Sequence, residues 1–323
     1  MKKVIISIMV VLMVPIVVLL GNAVVKSVDA HIIKKDLESD KISIIMTLRS
    51  PMENKSANET KLYRHNMEEQ ILLAEGYDFY DIVSSKDGSK ILSFMGHGRE
   101  KFDIVEYDLE SKTLRKILNT EEIKAYLIEN GYMEQEADRN RYGYCPRYYR
   151  DENCISFQYD KFLMGYSEQE GLEVIYTLEE YGHTYSWIKD DMVLLICDGG
   201  IVEYNTDTGE RKTLFEQAHT FNFAVSPDEE FVVYEERDTG YLCRYDLKDG
   251  TKQELCKYKH PLPILQIYGD GQYLLYQDAV QVLSSYKSYI YVMDIESRKK
   301  WKVYECEVGT PFKSTQITGV AWN

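Results

Sequence analysis

The stretch Thr220 to Leu255, TFNFAVSPDEEFVVYEERDTGYLCRYDLKDGTKQEL, sets the terms for any fold of this chain. It holds four short apolar or alternating runs: Phe221 to Val225, Phe231 to Tyr234, Tyr241 to Tyr245 and Lys252 to Leu255. Ser226-Pro227-Asp228, Asp238-Thr239-Gly240 and Asp249-Gly250 separate them. Proline fixes and glycine permits the backbone angles of a tight reversal, and aspartate bonds its own backbone there. The spacing predicts four antiparallel strands joined by turns.

The unit recurs. A third strand, polar turn and fourth strand are read at 104–118, 201–215, 242–255 and 290–304, with a weaker copy at 61–73. Tyr63, Tyr107, Tyr204, Tyr245 and Met293 hold one position in it, at spacings of 44, 97, 41 and 48. The doubled spacing implies a worn copy between Tyr107 and Tyr204, with Cys154 to Tyr159 and Leu172 to Leu178 as its strands. Second strands such as Met192 to Cys197 and Tyr273 to Tyr276 are almost continuously apolar. A strand covered on both faces requires this.

Four strands in about forty residues is the size of one propeller blade. The copy from Ile42 to Leu73 lacks a first strand, and the chain closes on Ile317 to Asn323, which reads as a lone one. Joined, they complete one blade from both termini and remove an exposed sheet edge. The expectation is all-β: a six-bladed β-propeller over 41–323, closed by pairing of the N- and C-terminal strands. A helical insertion is expected at about 119–141, where Asn119 and Glu122 suit a capping box and Asn130-Gly131 a helix end.

The pattern resembles the TolB-like six-bladed propellers and, more distantly, the WD-repeat and prolyl-peptidase propellers. Ser226-Pro227-Asp228 matches the S-P-D turn of the first family, and Tyr-Asp at 107–108 and 245–246 stands where WD repeats carry Trp-Asp. The resemblance implies a fold and leaves activity open.

Val4 to Leu20 is almost wholly apolar, Gly21 to Val25 extends it, and Lys2 and Lys3 precede it. About 20 such residues span a bilayer as a helix. Residues 1–25 are therefore read as a signal-anchor transmembrane helix and 26–40 as a juxtamembrane linker. The body would lie outside the cytoplasm, at a cell surface or in a periplasm, and would be secreted if Val28-Asp29-Ala30 were cut. The chain carries a net −15, and because residues 1–35 carry +4, the body carries −19. Such a surface repels phosphate backbones, so nucleic acid is not an expected partner.

Six cysteines lack C-x-x-C spacing. Cys145/Cys154 and Cys243/Cys256 each flank a hairpin; a tight turn at Asp249-Gly250 would set the second pair opposite each other, and a longer one would separate them. No metalloprotease, phosphate-loop, dinucleotide or nucleophile-elbow motif occurs; Gly165-Tyr166-Ser167-Glu168-Gln169 lacks the final glycine of the last.

His183, His219 and His260 each precede a predicted first strand in consecutive repeats. Converging imidazoles could hold a divalent transition metal with a position open to water, though WD repeats use a Gly-His pair at this place structurally. Tyrosines cluster at 142–149, 77–80 and 286–291, out of 27 in the chain, and tyrosine suits both inter-strand packing and ligand stacking. Two functions follow. One is a non-enzymatic, membrane-anchored scaffold binding a protein, peptide or glycan, without a cofactor. The alternative is a metal-dependent lyase or hydrolase using the three histidines.

Overall fold

A computed structural model of the chain describes residues 44–322, apart from 52–57, 66–69, 76–78, 97–100, 134–142, 151, 179–184, 190, 198–199, 216–221, 260–264, 269–270, 283–284 and 309–315. The strands form four-stranded antiparallel sheets, six among the described residues. The first joins β24 (Gln316–Trp322) to β1 (Ile44–Pro51), β2 (Asn58–His65) and β3 (Gln70–Glu75). The second runs β4 (Phe79–Ser84), β5 (Lys90–Gly96), β6 (Phe102–Asp108), β7 (Leu114–Asn119). The third is β8 (Gly143–Tyr149), β9 (Cys154–Tyr159), β10 (Phe162–Ser167), β11 (Gly171–Thr177). The fourth is β12 (Tyr185–Lys189), β13 (Met192–Cys197), β14 (Gly200–Asn205), β15 (Arg211–Phe215). The fifth is β16 (Phe223–Val225), β17 (Phe231–Glu236), β18 (Tyr241–Asp246), β19 (Lys252–Lys257), and the sixth β20 (Leu265–Tyr268), β21 (Tyr273–Val282), β22 (Ser285–Asp294), β23 (Lys300–Val308).

The sheets stand around an axis. First strands lie against one another in the cycle β24, β4, β8, β12, β16, β20 and back to β24, so they line the centre. Between each pair of neighbouring sheets lies one buried apolar cluster, and the alternation of side chains along the second strands builds it. Val193 and Leu195 face the third sheet, and Leu194 and Ile196 face the fifth. Tyr273 and Leu275 face the first sheet, and Leu274 and Tyr276 the fifth. A strand buried on both faces carries no polar alternation, which is why these runs read as continuously apolar. The cluster of Ile44 and Met46 with Leu275, Ile290 and Val292 joins the sixth sheet to the first and closes the ring. The architecture is an all-β propeller, and the expected pairing of the two chain ends is present: Ile44 lies opposite Trp322 and Met46 opposite Val320.

Three of the repeated tyrosines tie their sheet to the one before it. Tyr107 donates its hydroxyl to the Leu73 carbonyl at 3.3 Å, and Tyr245 donates to that of Leu214 at 3.2 Å. Tyr204 packs on Tyr176 of the preceding sheet, with centroids 4.5 Å apart, and Met293 is buried against the fifth sheet. The Ser226-Pro227-Asp228 turn also has a physical twin. The Ser226 hydroxyl accepts from the Phe231 amide at 3.0 Å, and the Ser85 hydroxyl accepts from the Lys90 amide at 3.0 Å across the same five-residue interval.

The insertion carries a ten-residue helix, α1 (Thr120–Glu129), shorter than the 119–141 segment expected to hold it. The capping box is formed: Asn119 accepts from the Glu122 amide at 2.9 Å, and Glu122 from the Asn119 amide at 2.7 Å. Gly131 follows with φ +75°, a turn conformation that glycine adopts without strain. Ile123 and Leu127 drive the helix into the cluster between the second and third sheets.

Cys243 and Cys256 do not pair. The β18–β19 register runs Tyr245 to Lys252 and Cys243 to Glu254, then shifts, so that Cys256 faces Leu242. Cys145, Cys154, Cys243 and Cys256 are free thiols. The membrane helix expected within 1–25 and the linker at 26–40 lie outside the described residues. Among the described residues, no helix is long and apolar enough to cross a membrane.

Candidate binding cleft at the channel mouth

In an antiparallel sheet whose first strand is innermost, the turn from first to second strand opens on one end of the central channel. Three such turns, after β4, β8 and β12, surround a cleft of about 380 Å³, and Glu229 from the fifth sheet completes its rim. The walls combine Lys86, Arg147, Arg150 and Lys189 with Tyr148 and Trp187. Among the described residues of the lining, four cations stand against two carboxylates, Glu152 and Glu229, in a chain of net −15. The described lining is thus net positive within an acidic chain.

Irregular backbone shapes this wall. In β4, Tyr80 lies opposite Phe94 and Val83 opposite Leu92, so three steps on one strand meet two on the other. In β8, Tyr144 faces Gln158 and Arg147 faces Ser156, again with one residue extra, and Pro146, which has no N–H to lose, sits in the bulge. In β12, one extra residue falls between Trp187 and Lys189. Bulges re-aim side chains and sharpen twist. Two of them place non-glycine residues at positive φ, Asp81 at 54° and Cys145 at 53°, and the Cys145 amide donates to the Asp81 carboxylate. Arg150 (49°) and Glu152 (64°) extend the cluster into the next turn, where Glu152 accepts from the Lys86 amide. Such conformations cost about 1–2 kcal/mol each, so a run of them marks a surface whose shape is maintained against local preference.

Arg147 is half-buried. Among the described residues its one hydrogen bond runs from Nη1 to the Pro146 carbonyl at 2.9 Å, although a guanidinium has five N–H donors. Burial alone would lower its pKa, but Cys145, Asp81 and Tyr185 outweigh that and raise it, so the group stays charged. Arg150 lies 5.4 Å above the Tyr149 ring and 4.0 Å from Glu170. Trp187 stacks on Tyr149, with centroids 4.5 Å apart and planes 4° from parallel.

The polar tips of the aromatic wall turn inward. Trp187 Nε1 donates to Ser156 Oγ at 2.8 Å, and that oxygen bonds the Tyr185 hydroxyl at 2.9 Å. Tyr149 donates to Glu173 at 3.2 Å, and Tyr148 donates to Glu106 at 3.2 Å. Burial first, and then the adjoining carboxylates, push both phenol pKa values up, so both stay protonated donors. Glu106 is itself nearly buried and also accepts from Lys90 at 3.3 Å and Arg115 at 3.2 Å. The cleft thus shows cations and ring faces, with its hydroxyl and indole donors used internally.

His183, His219 and His260 fall in the connections 179–184, 216–221 and 260–264, outside the described residues. The strands that follow these connections, β12, β16 and β20, begin at the end of the channel opposite the cleft. Among the described residues no group of three His, Cys, Asp or Glu side chains is placed to hold a metal ion. Sequence reading reached Tyr148 and Tyr149 as an aromatic cluster. It missed Arg147, whose place in the channel depends on a bulge without a motif.

No protein-family model and no curated protein sequence matches the chain. Solved structures do match. TolB from Acinetobacter baumannii superposes with a TM-score of 0.64 at 13% identity over 87% of this chain, which covers 66% of that protein. The fold is a TolB-like β-propeller. A TolB described as putative, from Agrobacterium tumefaciens, gives a TM-score of 0.55 at 11% identity, covering 87% of this chain and 99% of the other. A chain of a nidogen/laminin complex gives 0.59 at 10% identity, covering 87% and 98%. At these identities the TolB-like likeness concerns the fold alone.

Proposed function

We propose that this TolB-like propeller is a binding scaffold, carried outside the cytoplasm on an N-terminal membrane anchor, and that a protein, peptide or glycan partner docks at the channel mouth. The observation that carries the reading is the cleft itself: a cationic, aromatic-walled recess built on bulged inner strands of an otherwise acidic body. Rigid rings and fixed charges offer contact area at low entropic cost, as binding surfaces do. The apolar run at 4–20 motivates the anchor.

A photo-crosslinking residue at position 189, on the cleft rim, tests the docking site against one at position 212, on an outer strand. A discrete partner trapped from 189 and not from 212 is the expected result. No partner from 189 overturns it. So does near-stoichiometric transition metal in the purified chain that is lost, together with turnover of a glycan or peptide, on changing His183, His219 and His260 to alanine.

A further inference from the structure

We infer that the cleft selects an acidic peptide segment, one that sets a carboxylate beside an apolar side chain, with Arg147 as the group that receives the carboxylate. The inference rests on the reading of the cleft as the docking site and names the chemistry of what docks.

Three observations lead to it. First, Arg147 is held in the channel wall by the bulge of β8, is charged, and among the described residues makes one hydrogen bond, the 2.9 Å contact to the Pro146 carbonyl. The planar fork of a guanidinium matches a carboxylate in a two-point contact. Second, Lys86, Arg150 and Lys189 line the same cleft, with Glu152 and Glu229 as its carboxylates, so the described lining is net positive in a chain of net −15. Third, the aromatic wall has no donor to give. Trp187 Nε1 is committed to Ser156, the Tyr149 hydroxyl to Glu173 and the Tyr148 hydroxyl to Glu106.

The third point weighs peptide against sugar, because with the indole and phenol donors engaged it is chiefly the charged side chains of the described lining that remain to meet a sugar's hydroxyls. A sugar ring needs partners for its hydroxyls, and leaving them unmatched in a contact costs affinity. The partly exposed rings of Tyr148 and Trp187, which line the cleft, instead cover apolar carbon, which an aliphatic side chain next to an acidic one supplies. Asp81, whose carboxylate accepts from the Cys145 amide, adds to the field that keeps Arg147 charged. The volume of about 380 Å³ suits a short segment rather than a folded domain.

The test uses the full chain in detergent and three probes: an acetylated, amidated hexapeptide alternating leucine with glutamate, its glutamine counterpart, and a uronic-acid trisaccharide. Binding is read by calorimetry. The expected result is saturable binding of the acidic hexapeptide, at least about tenfold weaker binding of the glutamine form, and a similar loss in Arg147→Gln. Arg147→Lys, which keeps charge but not the fork, should fall between. Raising salt from about 0.05 to 0.5 M should weaken binding, because the rim lysines are exposed. Equal affinity for the glutamine peptide, unchanged affinity in Arg147→Gln, or trisaccharide binding as tight as the peptide overturns the inference. Absence of peptide binding overturns it too; a partner still crosslinked at position 189 would then leave the docking site standing.

Discussion

Cys145 donates its backbone N–H to the carboxylate of Asp81, and both residues hold a positive φ near 54° on the innermost strands of neighbouring sheets. Two locally unfavourable conformations are thereby tied together, and the guanidinium of Arg147 lies close enough to feel both residues. Asp81→Ala removes the acceptor and the countercharge at once. It should destabilise the fold by about 1.5–3 kcal/mol, the range for a hydrogen bond to a charged group, read as a lower denaturant midpoint at unchanged slope. In a double-mutant cycle, Asp81→Asn and Arg147→Gln should couple by at least about 0.5 kcal/mol; simple additivity would show that the two groups act independently.

A methyl group at Gly165 would stand 2.6 Å from the Tyr149 hydroxyl and 2.7 Å from Glu173. Gly165→Ala should therefore push Tyr149 off its carboxylate and disturb the stack with Trp187, at a cost of about 1–3 kcal/mol. The near-ultraviolet circular dichroism of the folded variant should change. Gly271→Ala should cost more, about 2–4 kcal/mol, because its φ is +89° and the new methyl would meet the rigid Phe231 ring at 2.9 Å.

Acid should loosen the fold over a defined window. Hydrogen bonds from Ser85 and Ser89 bring the Asp87 pKa from 3.8 to about 2, and Lys287 and Lys302 bring that of Glu305 from 4.5 to about 2. A carboxylate depressed on folding stabilises the native state above its ordinary pKa and loses that contribution as pH falls through the folded value. Stability should then decline between about pH 4.5 and pH 2, and Asp87→Asn should flatten the slope there. A midpoint that falls as steeply in the variant would remove Asp87 from the account.

The thiols should stay separate. The register shift sets Cys256 opposite Leu242, and burial pushes the Cys243 thiol up to about 12. Iodoacetamide should leave Cys243 unmodified until the chain unfolds, while the less buried Cys145 reacts before it. Peptide mapping without reductant should find no bridge between residues 243 and 256.

What the sequence made legible were features whose physics is local. Asn119 and Glu122 sit three residues apart, and their capping box formed as the spacing implied. Ser226-Pro227-Asp228 turns the chain within five residues. Ring closure was readable because a missing strand at one end met a spare one at the other. The cleft was not readable in this way. Arg147 belongs to the worn repeat, and its position depends on how Tyr144 and Arg147 register against Gln158 and Ser156, a long-range pairing. The bulges at Asp81 and Cys145 have no glycine to announce them. Ser85 carries the same turn as Ser226 with lysine in place of proline, so its motif was only half spelled.

The pairing of β24 with β1 also governs when the molecule can come into being. During synthesis β1, β2 and β3 are made well before β24, so that sheet waits for residues 316–322, which follow every other described strand. Until they arrive, β1 presents an open edge where β24 will pair with it. Completion is thus a late event spanning nearly the whole sequence, and long-range closures of this kind are slow. A nascent chain stalled before residues 316–322 would expose a strand ready to pair with another copy of itself.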